Sequence, residues 1–359
     1  MGRARKDGDP LGLAGTRLTF KHNAFYYRHP GGRWERIGTD IKAARERAAL
    51  YNDPTGVYGT VGYWLDRFLV DCTERVKNKT MAARTLSDYT KDTVLLKVFF
   101  GNMLPEHIQP VDVQKYLDEG AAGGRGTRAN REKSCLSSML SWLIRNGHTT
   151  MTVNPCMQVS GTKGNPEKKR ERYATNEEYQ AVCKVAPTQV RLLLELTYRT
   201  LQRPESDIIH WTPAIIGRDP HTGLRMLNFK QGKTGVNIKI RMNEEIELLI
   251  LRAMGPVPRI DQPLVHTLKG ESYTYSGLSS MLTKAINKVN KDRISKGLPK
   301  MPRFGFRDMK GKGATDMWRS GVPIEQIQML CGHADKATTE KYIKARWSEL
   351  ASPNEVAIS

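Results

Sequence analysis

Residues 304–342 open with F-G-F-R-D-M-K-G-K-G-A-T-D (304–316) and continue through R-S-G-V-P (319–323) and L-C-G-H (330–333). They close on T-T-E-K-Y (338–342). Three basic residues, Arg307, Lys310 and Lys312, stand at the front of this stretch, and Tyr342 lies nine residues after His333. The four-residue phase from Phe306 predicts a helix carrying Arg307 and Lys310 one turn apart on one face. Gly321-Val322-Pro323 ends that helix and starts a second, with Ile324, Ile327 and Leu330 as its apolar stripe and His333 just beyond it. Several cations around one tyrosine have an economical chemical use: they hold a phosphodiester while the hydroxyl attacks it.

Composition agrees. The chain has 359 residues, 57 Lys+Arg and 37 Asp+Glu, for a net charge of +20. Such an excess points to a polyanion, above all nucleic acid. The length allows two or three domains. The five cysteines (72, 135, 156, 183, 331) form no C-x-x-C pair. Neither a disulfide framework nor a zinc site is expected, and reduced core thiols in the cytoplasm are. No apolar run is long enough to span a bilayer, and the basic start M-G-R-A-R-K lacks the apolar segment of a signal peptide. No membrane contact, cofactor or metal is expected.

The spacing within 304–342 resembles the C-terminal signature of the tyrosine recombinases, the phage integrase family. Leu330-Cys331-Gly332-His333 stands for its Gly-His box, and Thr338–Tyr342 for its tyrosine box. Lys310, 23 residues before His333, stands where the family carries its second arginine, and Arg307 stands at the family's preceding histidine. An alternative alignment makes Arg307 the second arginine, with three extra residues before His333. Upstream, T-L-Q-R-P-E-S-D (200–207) resembles the first arginine box. Arg203 is there a phosphate clamp supported by Asp207 or Glu205, Arg199 is a weaker candidate, and Leu201 replaces the usual Gly. The alternating runs 225–229 and 236–240 predict a hairpin around K-Q-G-K-T-G. The family's lysine general acid falls there on Lys233, with Lys230 as the alternate.

The resemblance implies roles. Tyr342 is the nucleophile and forms a 3′-phosphotyrosyl link. Arg203, Arg307, Lys310 and His333 surround the phosphate, and Lys233 protonates the leaving 5′ oxygen. Lysine is a point charge without the two-pronged fork of arginine, so Lys310 weakens the clamp unless Arg307 supplies the guanidinium. Arginine is not a general base, so Arg307 replaces only the electrostatic part of a histidine's role. An inactivating substitution is the third possibility.

The rest of the chain gives an α+β, multidomain expectation. Residues 1–55 read as a basic unit of a small three-stranded sheet plus one helix capped by Asp40. It resembles the arm-type DNA-binding domain of lambda-type integrases, with Arg3, Arg5, Lys6, Arg17, Arg28 and Arg33 as candidate DNA contacts. Residues 56–159 read as a four-helix core-binding domain, with Arg84, Arg125, Arg128 and Arg131 as its candidates; Lys77, Lys79 and Lys133 are further basic positions. Residues 160–172 read as a linker able to lie along DNA through Lys163, Lys168, Lys169 and Arg170. Residues 173–359 read as a mixed, mainly α catalytic domain with a small sheet and a tail bearing Trp347 and Leu350.

The function expected is phage-type, site-specific integration and excision of phage or mobile-element DNA. Its partners are double-stranded DNA with core-type and arm-type sites, three further copies in a tetramer, a DNA-bending host factor and an excisionase. A Xer-like resolvase and a DNA-binding regulator with impaired catalysis are the rivals.

Overall fold

The computed structural model describes residues 9–29, 32–53, 57–158, 164–167 and 172–343. The chain divides into two compact units, Met1–Lys169 and Arg170–Ser359.

The first unit opens with an antiparallel sheet in the order β1 (Leu18–Lys21), β2 (Ala24–Arg28), β3 (Trp34–Gly38). The sequence expectation of three strands and one helix holds here. Asp40 caps α1 (Ile41–Asn52), its carboxylate accepting from the backbone N–H groups of Lys42 at 2.6 Å and Ala43 at 3.0 Å. Leu18, Phe25 and Tyr27 on one sheet face pack on Ala44 and Ala48 of α1. The other face, at Tyr26–Arg36 and Arg28–Trp34 pairs, is aromatic and basic, with Lys21 Nζ 4.3 Å from the Trp34 ring.

Four helices follow: α2 (Val61–Lys77), α3 (Ala83–Phe100), α4 (Pro110–Ala122) and α5 (Gly126–Arg145). Their apolar stripes meet in one core that includes Leu65, Phe68, Leu96, Phe100, Leu117, Leu136 and Leu140. Val98 of α3 lies outside this core and is exposed. A short helix, α6 (Pro155–Gln158), closes the unit. The described part of the expected linker is held on α4 and α5. Asn165 N–H donates to Asn130 Oδ1 at 2.7 Å, and Asn165 Nδ2 donates to the Leu117 carbonyl at 2.8 Å.

The second unit runs α7 (Asn176–Val185), α8 (Thr188–Thr200), β4 (Ile216–Arg218), β5 (Arg225–Lys230), β6 (Asn237–Arg241), α9 (Glu244–Met254), α10 (Tyr275–Ser295), α11 (Phe306–Arg319), α12 (Ile324–Cys331) and α13 (Lys336–Glu340). The strands form an antiparallel sheet in the order β4-β5-β6. Helix α7 and strand β4 are additions to the sequence reading. The first is signalled by a reciprocal cap: Thr175 N–H donates to Glu178 Oε2 at 2.8 Å, and Glu178 N–H donates to Thr175 Oγ1 at 3.3 Å. Buried Leu193, Leu196, Leu227, Phe229, Ile240, Leu278, Phe306 and Met309 form the core. The site-bearing helices α8 and α11 touch backbone to side chain. A Cβ added at Gly313 would lie 2.3 Å from the Tyr198 carbonyl oxygen and 2.6 Å from Leu201 Cδ2, so only glycine permits this approach.

All five cysteines are free. No described helix is long and apolar enough to cross a membrane.

Candidate active site

The site is built at the ends of α8 and α12 and at the β5–β6 turn. Helix α8 stops because Leu201 adopts a left-handed conformation, φ 53°, with its N–H donating to the Thr197 carbonyl. A leucine there costs roughly 1–2 kcal/mol relative to glycine. Its side chain is buried with Ala314, Ile327, Cys331 and Ile343, which offsets that strain. The turn delivers Gln202 and Arg203 off the helix end.

Two buried amides then tie the three segments together. Gln202 Nε2 donates to the Leu330 carbonyl at 2.7 Å. Gln231 Nε2 donates to Gln202 Oε1 at 2.7 Å and to the Cys331 carbonyl at 3.0 Å. Arg203 is fixed by the same parts. One terminal N–H donates to Gln231 Oε1 at 3.2 Å, and the guanidinium lies 3.8 Å from Asp207 Oδ2. Asp207 also accepts from the Arg203 backbone N–H at 3.1 Å and from Gly232 N–H at 2.8 Å, which pins the hairpin turn to the arginine.

On the opposite wall Lys310 is only 2% exposed. Its Nζ lies 3.5 Å from His333 Nε2 and 4.9 Å from the centre of the Tyr342 ring. Gly332 ends α12 at φ 66°, and a Cβ there would sit 2.8 Å from Gln231 Nε2; glycine is what lets His333 leave the helix at this point. His333 Nδ1 lies 3.0 Å from Thr339 Oγ1, and its ring stacks on Tyr342 at 5.3 Å with planes 26° apart. The Tyr342 backbone is held by its N–H to the Thr339 carbonyl and by Thr315 Oγ1, which donates to its carbonyl at 3.3 Å. Its neighbour Ile343 is buried beside Leu201.

The electrostatics follow from burial beside cations. His333 is held down to about pKa 4 by desolvation, with Lys310 and then Arg203 adding to it. Its imidazole is therefore neutral at neutral pH. Burial likewise lowers Lys310 and raises the Cys331 thiol. The pocket thus holds a fixed guanidinium, a buried amine and a neutral imidazole around a tyrosine, with Asp207 as the carboxylate behind the arginine. That set suits an anion and a nucleophilic hydroxyl.

Of the residues singled out from sequence, Arg203, Lys310, His333 and Tyr342 converge. Asp207, not Glu205, backs Arg203. Arg307 stands apart from Lys310. Its side chain is 71% exposed and ion-paired to Glu205, so the two do not meet as a joint clamp in this conformation. The physical reason is the helix itself: position 310 faces the core and position 307 the surface. Lys230 and Lys233 are exposed at the hairpin end. Arg199 pairs with Glu195 at 2.8 Å and Glu245 at 3.5 Å.

In the first unit, Arg125 pairs with buried Glu132 at 2.5 Å, and Arg128 with buried Asp92 at 2.6 Å. These two guanidiniums neutralise interior carboxylates, a role sequence reading did not assign them. Arg84 pairs with Asp88 at 3.2 Å and Arg131 with Glu167 at 3.0 Å, both at the surface. Arg17, Arg28 and Arg33 are exposed on the sheet unit. Arg3, Arg5, Lys6, Lys163, Lys168, Lys169, Arg170 and the tail with Trp347 and Leu350 lie outside the described residues. Sequence reasoning missed Gln231 and Thr339. Gln231 adjoins the K-T-G turn and Thr339 lies within the tyrosine box, so both were flanked by readable motifs.

The site thus gathers Arg203 from the end of α8, Gln231 from the hairpin, Lys310 from α11 and His333 and Tyr342 from the last described turns. Residues 172–349 match the phage integrase family, and through this domain the chain belongs to that family, the tyrosine recombinases, whose members are site-specific DNA recombinases. Its fold is similar to that of a lambda integrase dimer bound to a COC′ core site, with TM-score 0.63 and 19% identity over 99% of this chain and 100% of that chain. A lambda integrase tetramer bound to a Holliday junction aligns with TM-score 0.61 and 19% identity, over 99% of this chain and 100% of that one. The Tn1549 transposon integrase in complex with circular intermediate DNA aligns with TM-score 0.60 and 16% identity, over 79% of this chain and 94% of that one. At these identities the likeness concerns the fold. No curated protein matches the sequence.

Proposed function

We propose that the chain is an integrase of a phage or another mobile element, and that it is catalytically competent with Tyr342 as nucleophile. The observation that carries this reading is the convergence of Lys310 and His333 on the Tyr342 ring beside Arg203. In the proposed step Tyr342 Oη bonds to phosphorus and the bond to the 5′ oxygen breaks. The tyrosine proton leaves to the surrounding bases or solvent, and Lys233 on the hairpin donates a proton to the departing oxygen. A 5′-hydroxyl of a second strand then reverses the step. The bond energy is kept in the phosphotyrosine, so no nucleotide is consumed.

Arg203 and Lys310 stabilise the charge on the non-bridging oxygens, and neutral His333 hydrogen-bonds one of them. The sheet unit, the helical unit and the catalytic unit are proposed as arm-binding, core-binding and strand-transfer modules. The likeness to a lambda integrase tetramer bound to a Holliday junction supports a tetramer on DNA. A DNA-bending host factor and an excisionase fit such a complex.

A second reading is a DNA-binding regulator without catalysis. The exposed Arg307 and the lysine at position 310 favour it. Both are tested by incubating the full chain with a library of nicked random duplexes, denaturing, and recovering DNA that stays attached to protein. The integrase reading expects one enriched sequence whose recovery disappears with Tyr342→Phe. A regulator binds DNA and yields no covalent product.

A further inference from the structure

Two lysines of α11 are equally buried and differently partnered. Lys310 and Lys312 are each 2% exposed. Around Lys312 Nζ stand Asp316 Oδ2 at 2.9 Å, Asn176 Oδ1 at 2.7 Å and the Tyr173 hydroxyl at 3.1 Å, with the rings of Tyr173 and Tyr198 at 4.7 and 5.7 Å. That ammonium has its counter-charge and three hydrogen bonds. Lys310 Nζ has the imidazole of His333 and the ring of Tyr342. Among the described residues it forms no ion pair.

The groups that face Lys310 from each packed element do little to keep a charge there. Arg203, beyond α8, repels it. Asp207 attracts it but is engaged by Arg203 and by Gly232 N–H. The Cys331 thiol of α12 is kept protonated by burial. His333 is uncharged at neutral pH. A buried ammonium without a counter-charge costs several kcal/mol and gives up its proton more readily than a solvated one.

We infer that Lys310 makes phosphate binding a proton-coupled event: in the free protein the buried amine gives up its proton more readily than a solvated lysine, and an entering phosphodiester anion holds that proton in place, so that anion and proton are bound together. The inference rests on the recombinase reading for the identity of the anion. Burial displaces the Lys310 pKa below the ordinary lysine range; Arg203 adds to the shift and Asp207 opposes it, while the protonated Cys331 thiol brings no charge. An anion beside the amine acts in the opposite direction. Arginine at this position stays charged throughout and takes up no proton. Lysine therefore gives the site an affinity for phosphate that weakens as pH rises through the free-protein value, by at most about tenfold per pH unit for one proton. The coupling at His333 falls in a separate, acidic window, since its free value is about 4.

The test uses the full chain with its lysines 13C-dimethylated, which keeps their charge. Each lysine resonance is titrated by NMR in inorganic phosphate and in chloride of equal ionic strength. Lys310 is assigned as the resonance absent from Lys310→Arg, and independently from Lys310→Gln. The expected result is that this one lysine titrates below the others in chloride and moves up by about one pH unit or more in phosphate. Titration with the surface lysines, or an unchanged midpoint in phosphate, overturns the inference. Its failure is distinct from failure of the recombinase reading. Covalent product with an ordinary Lys310 titration sinks only the proton coupling, and a low-titrating, phosphate-sensitive Lys310 without covalent product sinks the recombinase reading.

Discussion

The helical unit and the catalytic unit both bury charge, and they do so in opposite ways. Between α3 and α5, Asp92 and Glu132 are buried and meet Arg128 and Arg125, so anions inside are matched by cations from the rim. Tyr116 hydroxyl adds a hydrogen bond to Glu132 at 2.6 Å. In the catalytic unit Arg203 and Lys310 stand near one carboxylate, Asp207, and only Arg203 is paired with it. The first arrangement is internally balanced and serves folding. The second leaves positive character facing a tyrosine, which is what a phosphodiester requires. The same residue type is thus structural in one unit and poised for a ligand in the other, and the partner carboxylates make the difference.

The largest effect expected is at Tyr342. Tyr342→Phe removes one oxygen and abolishes covalent product, while the folded protein keeps its Tm within about 1 °C because the contacts of the residue in the structure are made by ring and backbone. Next comes Arg203→Ala, which slows covalent product formation by roughly 10²–10³-fold; a gel time course on nicked DNA measures it. In the helical unit the corresponding change acts on stability instead. Arg128→Ala leaves Asp92 buried without its partner and costs about 3 kcal/mol or more, read by urea unfolding.

A smaller effect sharpens the comparison within one helix. Lys312→Met lowers stability, since Asp316 loses its counter-charge and Asn176 Oδ1 loses its lysine donor. Lys310→Met raises it by about 1 kcal/mol, because an amine with no ion pair is replaced by an apolar side chain of similar length. Opposite signs in thermal unfolding check the assignment; a loss of stability in both variants contradicts it. The smallest effect is the acid dependence of His333. Its folded value of about 4 lies below the ordinary 6.5. Between those values the unfolded chain binds the extra proton, so the stability owed to a neutral His333 is fully present above 6.5 and is lost progressively as pH falls toward 4. His333→Gln flattens the pH–Tm curve in that window.

Much of this was legible in the sequence, for local reasons. The stripe Phe306 to Thr315, the glycine before His333 and the K-T-G turn are each determined within a few residues. They placed α11, α12 and the hairpin and, with the boxes at 200–207 and 338–342, marked four residues that converge. Strand β4 is three residues long and too short for a period-two pattern. The orientation of Lys310 against Arg307 depended on which face of α11 meets α8, and Gly313 decides that through contact with Tyr198, far upstream. The Gln202–Gln231 pair joins residues 29 positions apart, and such a hydrogen bond has no local signature. Arg128 carried a visible i+4 acid in Glu132, but its closer partner Asp92 lies on another helix. Basic residues near a helix start read alike whether they face solvent, a buried acid or DNA.

The central claim is that the cationic pocket activates Tyr342 and no other tyrosine. Its most direct test is mass spectrometry of the covalent protein–DNA product after nuclease trimming. The account predicts a phosphonucleotide on the peptide containing Tyr342, joined through the 3′ phosphate. A nucleotide on Tyr273, Tyr275 or any other residue, or binding to DNA with no nucleotide on any peptide, contradicts it.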